Sequence, residues 1–158
     1  MKASEIIRII VFSLIGLALM FLVQRGLYEN RLLAITDVRR ITTWVEDYYL
    51  RGATIVFTAS VVAAVSWYVF AVNAKPRNAE DVASWRVVWW LLSLLPVLSI
   101  FIAIYIISDG SKQALGSLVL LFTLDALLLY WLTTAASSPK ALMYIPPGAF
   151  ILRRLFRD

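Results

Sequence analysis

Four long apolar runs dominate the chain, at about residues 6–23, 53–74, 87–107 and 114–136. A helix needs about 20 residues to cross the roughly 30 Å hydrocarbon core of a bilayer. The runs have that length, exceed the length of buried strands, and are not broken by turn signals. Backbone groups facing lipid must be satisfied within their own segment, which selects helices. The expected fold is all-α, a four-helix transmembrane bundle forming a single membrane domain over residues 1–158.

The polar stretches between the runs differ in character. Ser108-Asp109-Gly110-Ser111-Lys112 reads as a tight turn that makes the last two spans an antiparallel hairpin. Lys75-Pro76-Arg77-Asn78 precedes Glu80 and Asp81, acids that suit the positive N-terminal end of a helix dipole. The first connection, Arg25 to Gly52, is too long for a bare turn. Within it, Val38, Ile41, Trp44, Val45 and Tyr48 share one helical face, while Arg39, Thr42, Thr43, Glu46 and Asp47 share the other. The pattern predicts an amphipathic interfacial helix over about 37–50, capped by Thr36 or Asp37. Trp44, Tyr48 and Tyr49 would sit at headgroup level; the same face is alternatively a docking surface for a partner protein.

A second amphipathic element, 149–157, follows Ile145-Pro146-Pro147-Gly148. Ile151, Leu152, Leu155 and Phe156 fall in one arc and Arg153, Arg154 and Arg157 in the opposite one. Such a tail is expected to contact anionic lipid headgroups, each basic residue contributing about 1 kcal/mol near the surface.

Composition agrees with the pattern. Hydrophobic residues make up 61% of the chain and charged residues 16%, against about 45–50% and 25% in soluble domains; mean hydropathy is +0.81. The absence of Cys and His excludes disulfides, thiolate chemistry, His-based triads and His-ligated metals from this chain. The first run lacks a small-x-small cleavage site and is expected to remain as a span. Nine of the 15 basic residues lie in the N-terminus, second loop and tail, which favours both termini in the cytoplasm. These charges flank spans and require no nucleic acid.

Asp125 stands out, because it lies near the middle of the fourth run. A charged Asp at that depth costs roughly 2.5–3.5 kcal/mol on insertion scales, so it should be protonated, paired or hydrated. Depth arithmetic nominates partners in the third run: Pro96, which frees the carbonyl of Leu92, flanked by Ser93 and Ser99. Arg8 is the cation within a span, but it lies about 10 Å nearer the cytoplasmic surface than Asp125. Asp125 is then a neutral acid tying the fourth span to the third, a contact to a partner's span, or part of a proton or cation relay.

Two further patterns carry less chemistry. Trp67, Trp85, Trp89, Trp90 and Trp131 gather toward one membrane face with Tyr68, Tyr130 and Tyr144, as an interfacial belt would. Ala59, Ala63 and Ser66, with Ser60 and Ala64 beside them, form a small-residue seam suited to close helix packing or dimerisation. The soluble segments are too short for a catalytic domain, so no enzyme and no cofactor is expected. The reading is a non-catalytic accessory, scaffold or assembly subunit with a membrane-protein partner or self-association. Its alternative is a small oligomeric channel or proton-linked transporter using Asp125.

Overall fold

The computed structural model describes residues 3–33, 35–76 and 78–155. The described residues form helices, turns and loops, with no strand among them. Four helices are long and apolar enough to cross a membrane, and they pack as a bundle. They are α1 (Ala3–Glu29), α2 (Ile41–Asn73), α3 (Ala79–Ser108) and α4 (Leu115–Ser137). A short helix, α5 (Ala149–Leu155), follows and packs against the end of α4. The chain is thus a multi-pass membrane protein whose apolar surface meets the bilayer.

Helices α2 and α4 each touch all three other spans, with α2 packing most extensively on α3. The α2 seam consists of Gly52, Ala53, Val56, Ser60, Ala63, Ala64, Trp67 and Ala71, all buried. Ala63 lies on it, whereas Ala59 and Ser66 sit at its half-buried margin. Small side chains allow close backbone approach, the main source of helix–helix attraction in lipid. At Gly52 an added Cβ would lie 2.8 Å from Ile107 Cδ1 and 3.3 Å from Ala103 Cβ. At Gly16 it would lie 2.8 Å from Leu129 Cγ, so that glycine sets the distance between α1 and α4.

The segment expected to lie on the membrane surface over 37–50 is helical from Ile41, but it is the beginning of α2 rather than a separate element. Its apolar face is as predicted: Ile41, Trp44 and Val45 are buried, while Thr42, Thr43, Glu46 and Asp47 are exposed. That face meets the bundle instead of lipid. The Trp44 ring lies 5.4 Å from that of Tyr28 in edge-on contact, and Gly110 leaves room for the Trp44 and Tyr48 rings beneath the last hairpin turn. Trp44 is therefore a core residue, and Tyr48 is half-buried at its rim.

Helix α1 likewise runs past its apolar stretch. It stops in a left-handed turn at Arg31 (φ +54°), with Arg31 N–H donating to Tyr28 O (3.0 Å) and Leu32 N–H to Leu27 O (2.9 Å), the paired bonds of a helix-ending Schellman motif. Thr36 and Asp37, expected to cap the next helix, instead reach across to the start of α4. Asp37 accepts from Ser111 Oγ (2.7 Å) and Lys112 N–H (3.1 Å). The Gln113 Oε1 atom accepts from Thr36 N–H and Oγ1, both at 2.8 Å. At the start of α3 the expected chemistry holds: Asn78 Oδ1 caps Asp81 N–H at 2.9 Å, with Glu80 and Asp81 in the first turn.

At the opposite end of the bundle the aromatic residues form a second core. Trp67, Trp89 and Tyr130 are buried there with Leu142 and Ile145, so only part of the aromatic set faces outward as a belt would. The Trp67 indole donates to Ser138 Oγ (2.9 Å) and that of Trp89 to Thr134 Oγ1 (3.1 Å). Trp89 and Tyr130 stack at 5.2 Å.

Two outcomes test this packing. Gly16→Leu should force α1 from α4 and lower stability in micelles by about 1–3 kcal/mol. Gly116→Leu, with open space around its Cβ, should change little. Separately, the Ser111 hydroxyl foremost, and then the Gln113 and Lys112 N–H groups, hold the Asp37 carboxyl below its ordinary value. Its contribution is present above the unfolded value of about 3.9 and is lost as pH falls through the lower folded value. The protection of the Lys112 amide against hydrogen exchange, relative to its intrinsic rate at each pH, should therefore fall below about pH 4, and this acid step should vanish in Asp37→Asn.

Candidate functional site

Asp125 is buried inside the bundle, with 3% of its surface exposed. Its partner comes from α1. Gln24 Nε2 lies 2.9 Å from Asp125 Oδ1 and 2.8 Å from Oδ2, so one amide group faces both carboxylate oxygens. The other end of the same amide faces Tyr49 of α2. The Tyr49 hydroxyl donates to the Met20 carbonyl at 2.7 Å and lies 3.1 Å from Gln24 Oε1. Three spans thus meet at one short polar chain.

Helix geometry explains how three side chains so far apart in sequence converge. Leu19–Gln24, Val45–Tyr49 and Leu127–Leu132 are each π-helical. A π turn, with its i→i+5 hydrogen bonds, is wider than an α turn and often accompanies functional sites. Residues four apart drift around an α-helix, since a turn takes 3.6 residues. The wider turns absorb that drift, so Gly16, Met20, Gln24 and Tyr28 all remain on the inner face of α1. The same spacing keeps Val45, Tyr49 and Ala53 inward on α2. On α4, Leu118, Phe122, Asp125 and Leu129 face the interior.

Apolar and aromatic side chains surround the cluster. Tyr49 packs on Phe122 at 6.1 Å between ring centres and on Tyr28 at 5.3 Å. The Tyr28 hydroxyl is 2.9 Å from Ser117 Oγ, near the start of α4. Polar groups therefore extend from that end of the helix inward toward Asp125. An open cleft of about 440 Å³ lies at the same end, lined by Asp47, Tyr48, Arg51, Tyr105, Ile106 and Asp109.

The residues nominated from depth are engaged elsewhere. Ser93 Oγ donates to Trp90 O at 2.6 Å and Ser99 Oγ to Pro96 O at 2.7 Å. Helix α3 continues through Pro96, and its hydroxyls satisfy carbonyls of their own helix. Arg8 donates through Nη1 to Ala136 O at 3.2 Å, at the far end of α4. Asp125 is thus tied to α1 and α2 rather than to α3. Arg157 lies outside the described residues, as do the side chains of Arg153 and Arg154. Gln24 ends an apolar run beside Arg25 and so reads in sequence as the edge of a span. The available signal was the four-residue repeat Met20, Gln24, Tyr28.

Among the described residues, no three His, Cys, Asp or Glu side chains gather as a metal site would require. The cluster holds one carboxylate, one amide and one phenol, which together can bind or release a proton and exchange hydrogen bonds.

Substitutions at the cluster should separate these contributions. Asp125→Leu leaves the Gln24 amide without its acceptor and should cost about 1–3 kcal/mol. Asp125→Asn retains an amide–amide hydrogen bond and should cost less than about 1 kcal/mol. Gln24→Leu combined with Asp125→Leu should fall short of the summed single effects by about 0.5–2 kcal/mol, measured by unfolding in mixed micelles. Compared with known proteins, the chain matches no family model, no curated protein and no solved structure.

Proposed function

We propose that this protein is a non-catalytic accessory, scaffold or assembly subunit of a membrane complex. The observation that supports this reading is the division between its inside and its outside. Polar side chains of the spans tie the helices of this chain to one another, as Gln24–Asp125, Tyr49–Met20, Tyr28–Ser117 and Trp89–Thr134 do. Helices α1 and α3 meanwhile turn broad apolar faces outward. On α3 these include Leu91, Leu94, Leu98, Phe101 and Ile102. In a bilayer such a face is covered by lipid tails or by another protein's helix, with packing rather than hydrophobicity deciding between them. A bundle locked from within and apolar without is suited to presenting a fixed surface. The basic tail would hold one end at anionic headgroups, with both termini on the cytoplasmic side by the balance of basic residues.

A photoreactive residue at Leu94 or Phe101 should, in native membranes, crosslink to one defined protein that also copurifies in stoichiometric amount after mild extraction. Lipid adducts alone, with a chain that purifies by itself, would remove this reading. A second reading, an oligomeric channel or proton-linked transporter, draws on the convergence of three π-helical turns around a buried acid. It requires proton or cation flux in proteoliposomes that Asp125→Asn abolishes; a parent protein without flux excludes it.

A further inference from the structure

We propose that the Asp125–Gln24–Tyr49 cluster is a proton-binding site, in which uptake of one proton by Asp125 is coupled to a half-turn of the Gln24 side-chain amide. The proposal goes beyond the assembly reading and does not depend on transport. It rests on counting hydrogens along the chain of contacts.

A phenol has one hydrogen to donate. That of Tyr49 faces two acceptors, Met20 O at 2.7 Å and Gln24 Oε1 at 3.1 Å. The shorter contact takes it, which leaves Gln24 Oε1 poorly served. At the other end, the Gln24 Nε2 lies within hydrogen-bond distance of both Asp125 oxygens, and both serve fully as acceptors when the carboxylate is ionised. This is the deprotonated state of the cluster.

Adding a proton changes the requirement at one of those oxygens. The new O–H bond on Asp125 makes one oxygen a donor, and it then faces an amide nitrogen that cannot accept. Turning the Gln24 amide by 180° places Oε1 toward Asp125 and Nε2 toward the Tyr49 oxygen. The sequence then runs Asp125 O–H to Gln24 Oε1, Gln24 N–H to Tyr49 O, and Tyr49 O–H to Met20 O. The Tyr49 proton stays in place throughout, and the one proton gained resides on Asp125. The two states differ by that proton and by the direction of one amide.

Charged side chains of α2 stay clear of the cluster, with Glu46, Asp47 and Arg51 exposed. Tyr28 of α1 and Tyr49 of α2 are the titratable groups that face it. Arg25, next to Gln24, turns to Glu29 with Nε–Oε1 2.7 Å. Helix α3 carries no Asp, Glu, Lys or Arg from 87 to 108, and α4 carries no charged residue besides Asp125 from 115 to 137. Tyr130 of α4 donates away from the cluster, to Trp89 O. Water at the α4 start supplies the proton, along the side of the bundle where Ser117 and Tyr28 extend polar groups inward.

The test uses the full chain in lipid nanodiscs, with isotope-labelled glutamine side chains. The chain has glutamine at 24 and 113, and Gln113→Ala leaves Gln24 as the single labelled site. Infrared difference spectra are recorded while pH is lowered. The expected result is a carboxylic-acid carbonyl band that grows together with a shift of the labelled amide band. Asp125→Asn, which keeps hydrogen-bonding capacity, should lose both. Tyr49→Phe removes the oxygen that receives the turned amide and should lose the amide shift. Identical spectra for the parent and Asp125→Asn overturn the proposal, as does a carboxyl band without the amide shift in the parent chain. A response that follows sodium concentration at fixed pH overturns it in favour of a cation site.

Discussion

A carboxyl group placed in the middle of a bilayer has to find a hydrogen-bond partner inside the protein, because lipid offers none and leaving it bare costs several kcal/mol. In this bundle the partner is the Gln24 amide, and much of the architecture follows from bringing the two together. The α1–α4 contact must be close, which the bare backbone of Gly16 against Leu129 permits. Helix α2 must enter beside them, so that Tyr49 reaches the same amide. Three helices widen locally to keep these positions on their inner faces. Each hydrogen bond of this kind contributes on the order of 1 kcal/mol in membranes. The constraint is therefore one of geometry more than of summed energy: few arrangements of four helices bury Asp125 with a donor at both oxygens.

The rest of the core divides around this requirement. Toward the loops, Met20, Tyr28, Trp44, Tyr49, Phe122 and Leu118 build an aromatic-rich layer closed by the Asp37 tie to α4. Toward the other end, Trp67, Trp89 and Tyr130 fix α2, α3 and α4 through indole and phenol donors that would otherwise be unpaired in an apolar setting. Small residues of α2 run through both layers and allow the helices to approach. The outward faces of α1 and α3 contribute little to this internal order, and so remain available for contact with lipid or protein.

The helices, their number and the antiparallel hairpin were legible because twenty-residue apolar runs have few physical alternatives in water or lipid. Asp125 was legible for a related reason, since one acid in a long apolar run has no ordinary explanation. Its partner was not. Depth arithmetic assumes a uniform rise and says nothing about direction around each helix, so it pointed to Ser93 and Ser99 of α3, which face their own backbone. Gln24 depends on a local change of helical phase that a fixed 3.6-residue period hides. Trp44 and Tyr48 show the same limit from another side. An apolar stripe reveals that something covers it, and here the cover is the Gly110 turn and Tyr28 rather than the headgroup region.

The separation of 101 residues between Gln24 and Asp125 has a bearing on biogenesis. Spans leave the ribosome in order, so the uncharged amide reaches the membrane first, where waiting unpaired carries the smaller penalty. Tyr49 follows with the second span. By the time the fourth span delivers the carboxylate, its donor and the phenol behind it already lie in the bilayer. Synthesis in the opposite order would leave the most costly group stranded longest. The direction of the chain thus shelters its least membrane-compatible residue during insertion.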